Sequence, residues 1–407
     1  VLFRSVIALT AIWAFAFHSI YLRDEPRIAA SRWIYQNVPG PVNLQIADGS
    51  DKGYTQPLPF PNGFFVQAGQ PYQLSFTAHA DGLLNEVTLP HVLAVSGQMP
   101  PQFSLTVWDD LSASQPLTAA PSVPSTPGFS ITTPQLATFD QSPILNAGQT
   151  YYLKINAVGA NISAEICGPL LVRWQAASQL VEQKVDVAEP CTVTSTEPFL
   201  IPFIPDVTGA LSVIALDNIR TTDLSAFSEA HTLSLVVTGA PDQPSGNGAV
   251  TGIFAPETDP RGVAVRVPLE QPLPLVKGQP YTLYLSISDG AVTFSGAAIT
   301  NETSFDYGLP MRTDGYDAFG GLYRGDLNLE VYWDDNADKL NRFVSILDQT
   351  DYIFIPTNHQ YGQISRVTER YPLTAYYYRE LMGCPPELET IPCYYEAQPG
   401  DHQGRLG

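Results

Sequence analysis

The sequence predicts a mostly β chain in which an α/β domain with a parallel sheet is split by two inserted antiparallel β-sandwiches of jelly-roll type. Three observations lead there. Pro 36 and Gly 30 in 407 residues, among many Thr, Ser and Val, describe short strands joined by frequent turns. A Gly-Gln-x-Tyr-x-Leu pattern recurs at Gly69, Gly148 and Gly278, each copy a turn feeding a strand whose Tyr and Leu share one face. The last two copies lie 130 positions apart, as do Ser104-Leu105-Thr106-Val107 and Ser234-Leu235-Val236-Val237, and equal offsets mark a duplicated domain.

The elements follow in chain order. Val6 to Leu22 is almost wholly apolar, with Arg4 before it and Trp13 and Tyr21 as interfacial anchors, which predicts a transmembrane helix over 1–22. At ~1.5 Å per residue the run covers ~25 Å, short of the ~30 Å hydrocarbon core, so a clipped span of a longer protein is expected, with a signal peptide as the alternative. Asp24-Glu25-Pro26 opens a helix whose Ile28, Ala29, Trp33 and Ile34 recur at helical spacing until Pro39-Gly40-Pro41 ends it. Val42 to Ile46 then alternates as a strand. The sandwiches are expected over 53–190 and 195–303.

After Asn301 the period changes again. Leu327 to Trp333 reads as a strand, and Asp334-Asp335-Asn336 offers N-cap oxygens to a helix carrying Leu340, Phe343, Val344 and Leu347 at i, i+3, i+4, i+7. Tyr352 to Ile355 is a second strand. Strand, helix, strand closes into a parallel sheet, and the strand at 42–46 is expected to complete it, giving a discontinuous domain of 23–48 plus 304–400. A last helix starts at Pro372 and stops at Gly383. It carries Tyr376-Tyr377-Tyr378, and residues 100° apart cannot share one buried face, so at least one phenol must meet solvent or a partner.

The formal charge of −20 argues against nucleic acid as a partner, because phosphates would be repelled. Four cysteines fall as two local pairs, Cys167 with Cys191 and Cys384 with Cys393, which suits disulfides in an oxidising compartment better than zinc. No Gly-x-Ser-x-Gly elbow and no His-Glu-x-x-His is present. Asp334 and Asp335 could form an acid pair for sugar chemistry, against a capping role. Asp314 and Asp317 lie in a Gly-rich turn that could hold sugar hydroxyls or Ca²⁺, against a plain loop. Arg366 and Arg370 could grip a lipid phosphate or pair internally with Glu369. Trp108 and Trp174 could stack on a pyranose or pack in a core. Asn161 and Asn301 head glycosylation patterns.

Three segments together resemble a known family. They are Ala29-Ala30-Ser31-Arg32-Trp33-Ile34-Tyr35-Gln36-Asn37-Val38-Pro39, then Asp351-Tyr352-Ile353-Phe354-Ile355 with Asn358, His359 and Tyr361-Gly362, and Glu369-Arg370-Tyr371-Pro372-Leu373-Thr374 with the tyrosine triplet. The likeness is to the extracytoplasmic tail of polytopic lipid-linked-sugar glycosyltransferases of the dolichyl-phosphate-mannose mannosyltransferase type and the related YYY-domain membrane proteins. It implies sugar transfer from a polyprenyl-phosphate donor by a transmembrane bundle outside this chain. The chain itself would be a non-catalytic part at the cell membrane, with its bulk extracytoplasmic, helping to handle acceptor or glycan. In Phe305-Asp306-Tyr307-Gly308-Leu309-Pro310, Asp306 alone keeps the acid of the family's acidic motif. The resemblance thus makes Asp306, His359 and Tyr376 to Tyr378 contacts for glycan or lipid phosphate, and it implies no cofactor on this chain. The competing expectation is a single-anchor surface protein that binds carbohydrate.

Overall fold

The middle of the chain is built from strands in which every second side chain is apolar, and such strands can seal a core only by pairing antiparallel in stacked sheets. A computed structural model describes Val6, Thr10 and residues 12–15, 25–89, 91–96, 102–123, 135–139, 141–159, 162–185, 191–195, 198–222, 228–240, 244–256, 259–302, 308–311, 322–357 and 359–383. The chain is mostly β. It forms two compact units, Pro39–Gly296 being one and the residues to Val38 together with those from Ala297 the other.

Within Pro39–Gly296 the duplication is visible as topology. One four-stranded sheet runs Tyr72–Thr77, Thr150–Val158, Gln102–Trp108, Thr118–Val123, and its counterpart runs Phe199–Phe203, Tyr281–Ile287, His231–Thr238, Gly246–Gly252 in the same order. Leu153 pairs with Val107 and Leu283 with Val237, both partners displaced by 130 positions. The side chains repeat too. Asn146 N donates to Tyr151 Oη at 2.7 Å and Val276 N to Tyr281 Oη at 3.1 Å, each beside a glycine at φ near +80°, Gly148 and Gly278. Each copy thus keeps a left-handed turn held by its own tyrosine, which explains the Gly-Gln-x-Tyr-x-Leu pattern.

Each copy has its own core. Trp174, Tyr151, Leu84 and Phe103 lie in the first, and Ile214, Phe294, Leu283 and Phe254 in the second. In the second copy the sheets run on through the long strand Val263–Leu275 into one ten-stranded, nearly closed sheet. Cys167 and Cys191 are bonded as the spacing suggested. Cys384 and Cys393 lie outside the described residues, as does most of the 1–22 segment. Among the described residues no helix is long and apolar enough to cross a membrane.

Two segment assignments are corrected. Val42–Ala47 does not join a parallel sheet; it pairs antiparallel with Tyr54–Leu58 and with Gly209–Thr221. Val42, Leu44, Ile46, Leu58 and Phe60 all enter the second core, where Phe60 meets Phe199 and Phe294 at 4.8 and 4.9 Å, so the start of the expected first sandwich completes the second. The physical reason is the alternation itself. A strand with apolar residues at every second position seals one face, as in antiparallel layers, whereas a central parallel strand is buried on both.

The strand with that second property is Ala298–Glu302, expected at the end of the second sandwich. All five of its residues are buried, and it lies between Arg324–Leu329 and Tyr352–Phe354, parallel to both. Helices pack on both faces. Ile299 joins Ile34, Tyr35 and Val38 of helix α1 (Pro26–Asn37) and its C-cap in one core. Ala298 joins the other core with Phe343 and Ile346 of α2 (Ala337–Leu347), Tyr361 and Ile364 of α3 (His359–Ile364), and Tyr377 and Tyr378 of α4 (Pro372–Leu381).

Candidate functional site

Ligands of open parallel sheets collect at the carboxyl ends of the strands, and here the central strand ends in Glu302. Period-2 alternation turns Ala298, Thr300 and Glu302 toward α4 and Ile299 and Asn301 toward α1. Thr300 Oγ1 donates to Leu327 O at 2.7 Å. Asn301 Nδ2 donates to Leu309 O at 3.0 Å and Asn301 Oδ1 accepts from Leu309 N at 2.7 Å, so this amide is sealed inside and is no glycosylation acceptor. Asn161 lies outside the described residues.

Glu302 is 0% exposed. Tyr377 Oη donates to its Oε1 at 2.9 Å and Tyr378 Oη to its Oε2 at 2.7 Å. Burial pushes the carboxyl up to about 7, and the two phenols hold it from rising further. The same burial, with the carboxylate beside them, raises both phenols well above their ordinary range. The rings of Tyr377 and Tyr378 lie 5.0 Å apart, with Phe343 edge-on to the first and Tyr361 edge-on to the second. Two of the three tyrosines are therefore spent on one buried acid.

Tyr376 is the third, and it is 57% exposed. Arg379, half-buried and 3.7 Å from the Glu380 carboxylate, stacks 5.0 Å over its ring, making a cation–aromatic pair on the outer face of α4. Arg366, Glu369 and Arg370 precede α4 and are exposed; Arg370 lies over the Tyr371 ring at 5.2 Å, and among the described residues no ion pair joins Glu369 to either arginine. His359 opens α3, exposed, with its Nε2 at 2.7 Å from Gln363 Nε2. Asp306, Asp314 and Asp317 lie outside the described residues.

The acid pair reading of Asp334 and Asp335 gives way to capping, though not of a single helix. Asn336 Oδ1 accepts from Lys339 N and caps α2. Asp335 caps α4 instead, its Oδ2 accepting from Leu373 N at 2.5 Å and Thr374 N at 3.1 Å. Its Oδ1 takes the buried Lys339 ammonium at 2.5 Å, and that Nζ also donates to Val331 O, Trp333 O and Thr374 Oγ1. Burial lowers the pKa of the Lys339 ammonium, and the hydrogen bond and charge of Asp335 limit the fall, with the ammonium's three N–H groups shared among four oxygens.

Glu165, Cys167 and Cys191 bring metal-ligating residue types within 4.8 Å, but both sulfurs are in the disulfide and the carboxylate accepts from Thr192 N and Oγ1. That leaves no thiolate for a metal. Trp174 is fully buried and donates to Ala80 O at 3.1 Å, a core residue. Trp108 stands half-exposed on an outer sheet face.

Sequence reasoning missed Glu302 because its neighbours Thr300 and Asn301 are polar, Asn301 heads a glycosylation pattern, and the segment falls at the end of the expected second sandwich. The signal was the triplet itself: two adjacent phenols committed to a core need an acceptor within it.

No family model matches the chain, and no curated protein does. Among solved structures, dimeric latent PorU from Porphyromonas gingivalis matches with 12% identity and a TM-score of 0.19 over 64% of this chain and 23% of that one. The chain spans less than a quarter of that protein, and a likeness at this level carries no argument about fold or function.

Proposed function

We propose that the chain is an extracytoplasmic portion of a membrane glycosyltransferase-like protein that uses a polyprenyl-phosphate sugar, with Val6 to Leu22 as a membrane anchor. The unit around Glu302 is its split α/β domain and the two β bodies are jelly-roll-type insertions. The supporting observation is convergence. Two of the resembling segments, 351–362 and 369–378, are neighbours in sequence, and the third, 29–38, comes from the other end of the chain yet falls in the same unit. Tyr35 Oη donates to Met311 O at 2.8 Å, Tyr323 Oη to Val38 O at 2.9 Å, and Tyr377 and Tyr378 close on Glu302.

On this reading the chain does no bond chemistry, and Glu302, fully buried and bonded to two phenols, is a structural acid. The exposed Tyr376 and the half-buried Arg379 stacked on it, with Arg366 and Arg370 before the same helix, supply a ring face and cations for a sugar or lipid phosphate. Membranes carrying the intact gene product should transfer label from a polyprenyl-phosphate sugar. Replacing both Tyr376 and Arg379 by Ala should lower transfer at limiting acceptor about tenfold, the effect of ~1.4 kcal/mol, with the unfolding midpoint unchanged. Absence of transfer from a panel of such donors, or full transfer by the double variant, would sink the reading.

A further inference from the structure

The duplicated fold contains its own control. In the first copy Tyr151, Leu153 and Ile155 point into the core, so Tyr152 and Lys154 stand on the outer face of the four-stranded sheet. In register, Tyr152 lies opposite Trp108, and Lys154 opposite Thr106. The Trp108 indole N–H donates to Thr106 Oγ1 at 2.9 Å, which fixes the ring, and Lys154 Nζ sits 4.1 Å from the ring centroid. None of the four strands carries an Asp or Glu, in a chain that has 40 of them. In the second copy the matching places, on the same sheet in the same register, hold Thr282, Tyr284, Thr238 and Val236 for Tyr152, Lys154, Trp108 and Thr106. The fold therefore makes no demand for an indole or an ammonium there.

We propose that this face of the first β body binds an acidic polysaccharide, a chain bearing uronate carboxylates. The Tyr152 ring and the face of Trp108 that Lys154 does not cover take the apolar faces of pyranose units, and Lys154, held over the indole, takes a carboxylate beside them. Gln73 and Ser104, on the outward positions of flanking strands, offer neutral hydrogen bonds to hydroxyls. Charge complementarity selects the ligand. On a molecule of net charge −20 a polyanion is repelled almost everywhere, and this sheet face, whose strands carry one ammonium and no carboxylate although the exposed Asp109 and Asp110 follow Trp108, is where it can land. The inference does not rest on the glycosyltransferase reading, which concerns the other unit.

Calorimetric titration of the detergent-purified chain with hexagalacturonate and with cellohexaose at low salt tests it. Hexagalacturonate should bind more tightly than the neutral hexamer. Trp108→Ala should weaken it about tenfold or more, as loss of an aromatic anchor does. Lys154→Gln should reduce hexagalacturonate to the affinity of cellohexaose, while Tyr284→Ala in the second copy should leave affinity within about twofold. The inference is overturned by no binding of hexagalacturonate, by equal affinity of the parent chain for both hexamers, or by Lys154→Gln and Trp108→Ala variants that bind like the parent. Circular dichroism of each variant separates lost binding from lost folding.

Discussion

Glu302 and Glu165 are both carboxyls whose pKa burial raises to about 7 from an ordinary 4.5. Between those values the native chain keeps a proton that the unfolded chain has released, so the folded state binds more protons and stability falls as pH rises. The loss begins near 4.5, is complete a little above 7, and amounts to at most about 3 kcal/mol per group. Glu302→Gln should therefore flatten part of the decline, and Glu165→Gln another part, when midpoints of urea unfolding are compared at pH 5 and pH 8. A Glu302→Gln variant whose pH profile overlays the parent would show that the acid does not titrate in this range. The tyrosines divide in the same experiment. Tyr378→Phe strips a donor from a buried carboxylate oxygen and should cost about 1–3 kcal/mol at pH 8, whereas Tyr376→Phe, on the exposed face of α4, should stay within about 0.5 kcal/mol.

Helix α4 shows how elements depend on residues far from them in sequence. Its N-cap, Tyr371, makes no side-chain cap, and the missing acceptor is Asp335, which precedes α2. The same carboxylate pairs with Lys339, so one acid ties two helices together. Lys339→Met leaves a buried carboxylate without its cation and should cost about 3–5 kcal/mol in equilibrium unfolding. Asp335→Asn should be milder than Asp335→Ala, because an amide oxygen can still accept from Leu373 N and Thr374 N. Equal cost for the two Asp335 variants would remove capping from the account. The limits α4 would have were legible, since Pro372 occupies the first turn and Gly383, at φ +64°, ends it. Its cap was not, because local spacing assigns Asp335 to the helix it precedes. Likewise the alternation of Val42 to Ile46 identifies a strand and one sealed face, yet says nothing of which sheet receives it. Ala298–Glu302 was illegible for the opposite reason. Its Thr, Asn and Glu look solvated until Leu327 O, Leu309 and two phenols are known to satisfy them.

At the scale of the whole molecule, the repeated Gly-Gln-x-Tyr-x-Leu pattern was enough to expose the duplication, because each copy spends the same glycine and tyrosine on the same turn. What it could not show is that Val42 to Phe60 belongs to the later copy, a pairing bridged by over 150 residues of sequence. The ends of the insertion carry a further consequence. Val38 and Ala297 share one small core with Ile34, Ile299 and Tyr323, so the chain leaves and re-enters its unit at neighbouring points. An insertion with adjacent ends leaves the host's core intact when removed, and closing a short loop costs little entropy. Residues 25–38 joined through a short Gly/Ser linker to 297–407 should therefore fold alone, and Pro39–Gly296, with two cores and the Cys167–Cys191 bond, should fold as well. Each piece should give a cooperative thermal transition, and the shorter one should keep the pH 5 to pH 8 decline that Glu302→Gln relieves. A 25–38/297–407 chimera that unfolds without a cooperative transition would mean that this unit draws its stability from the β bodies, and the view of them as insertions would fail.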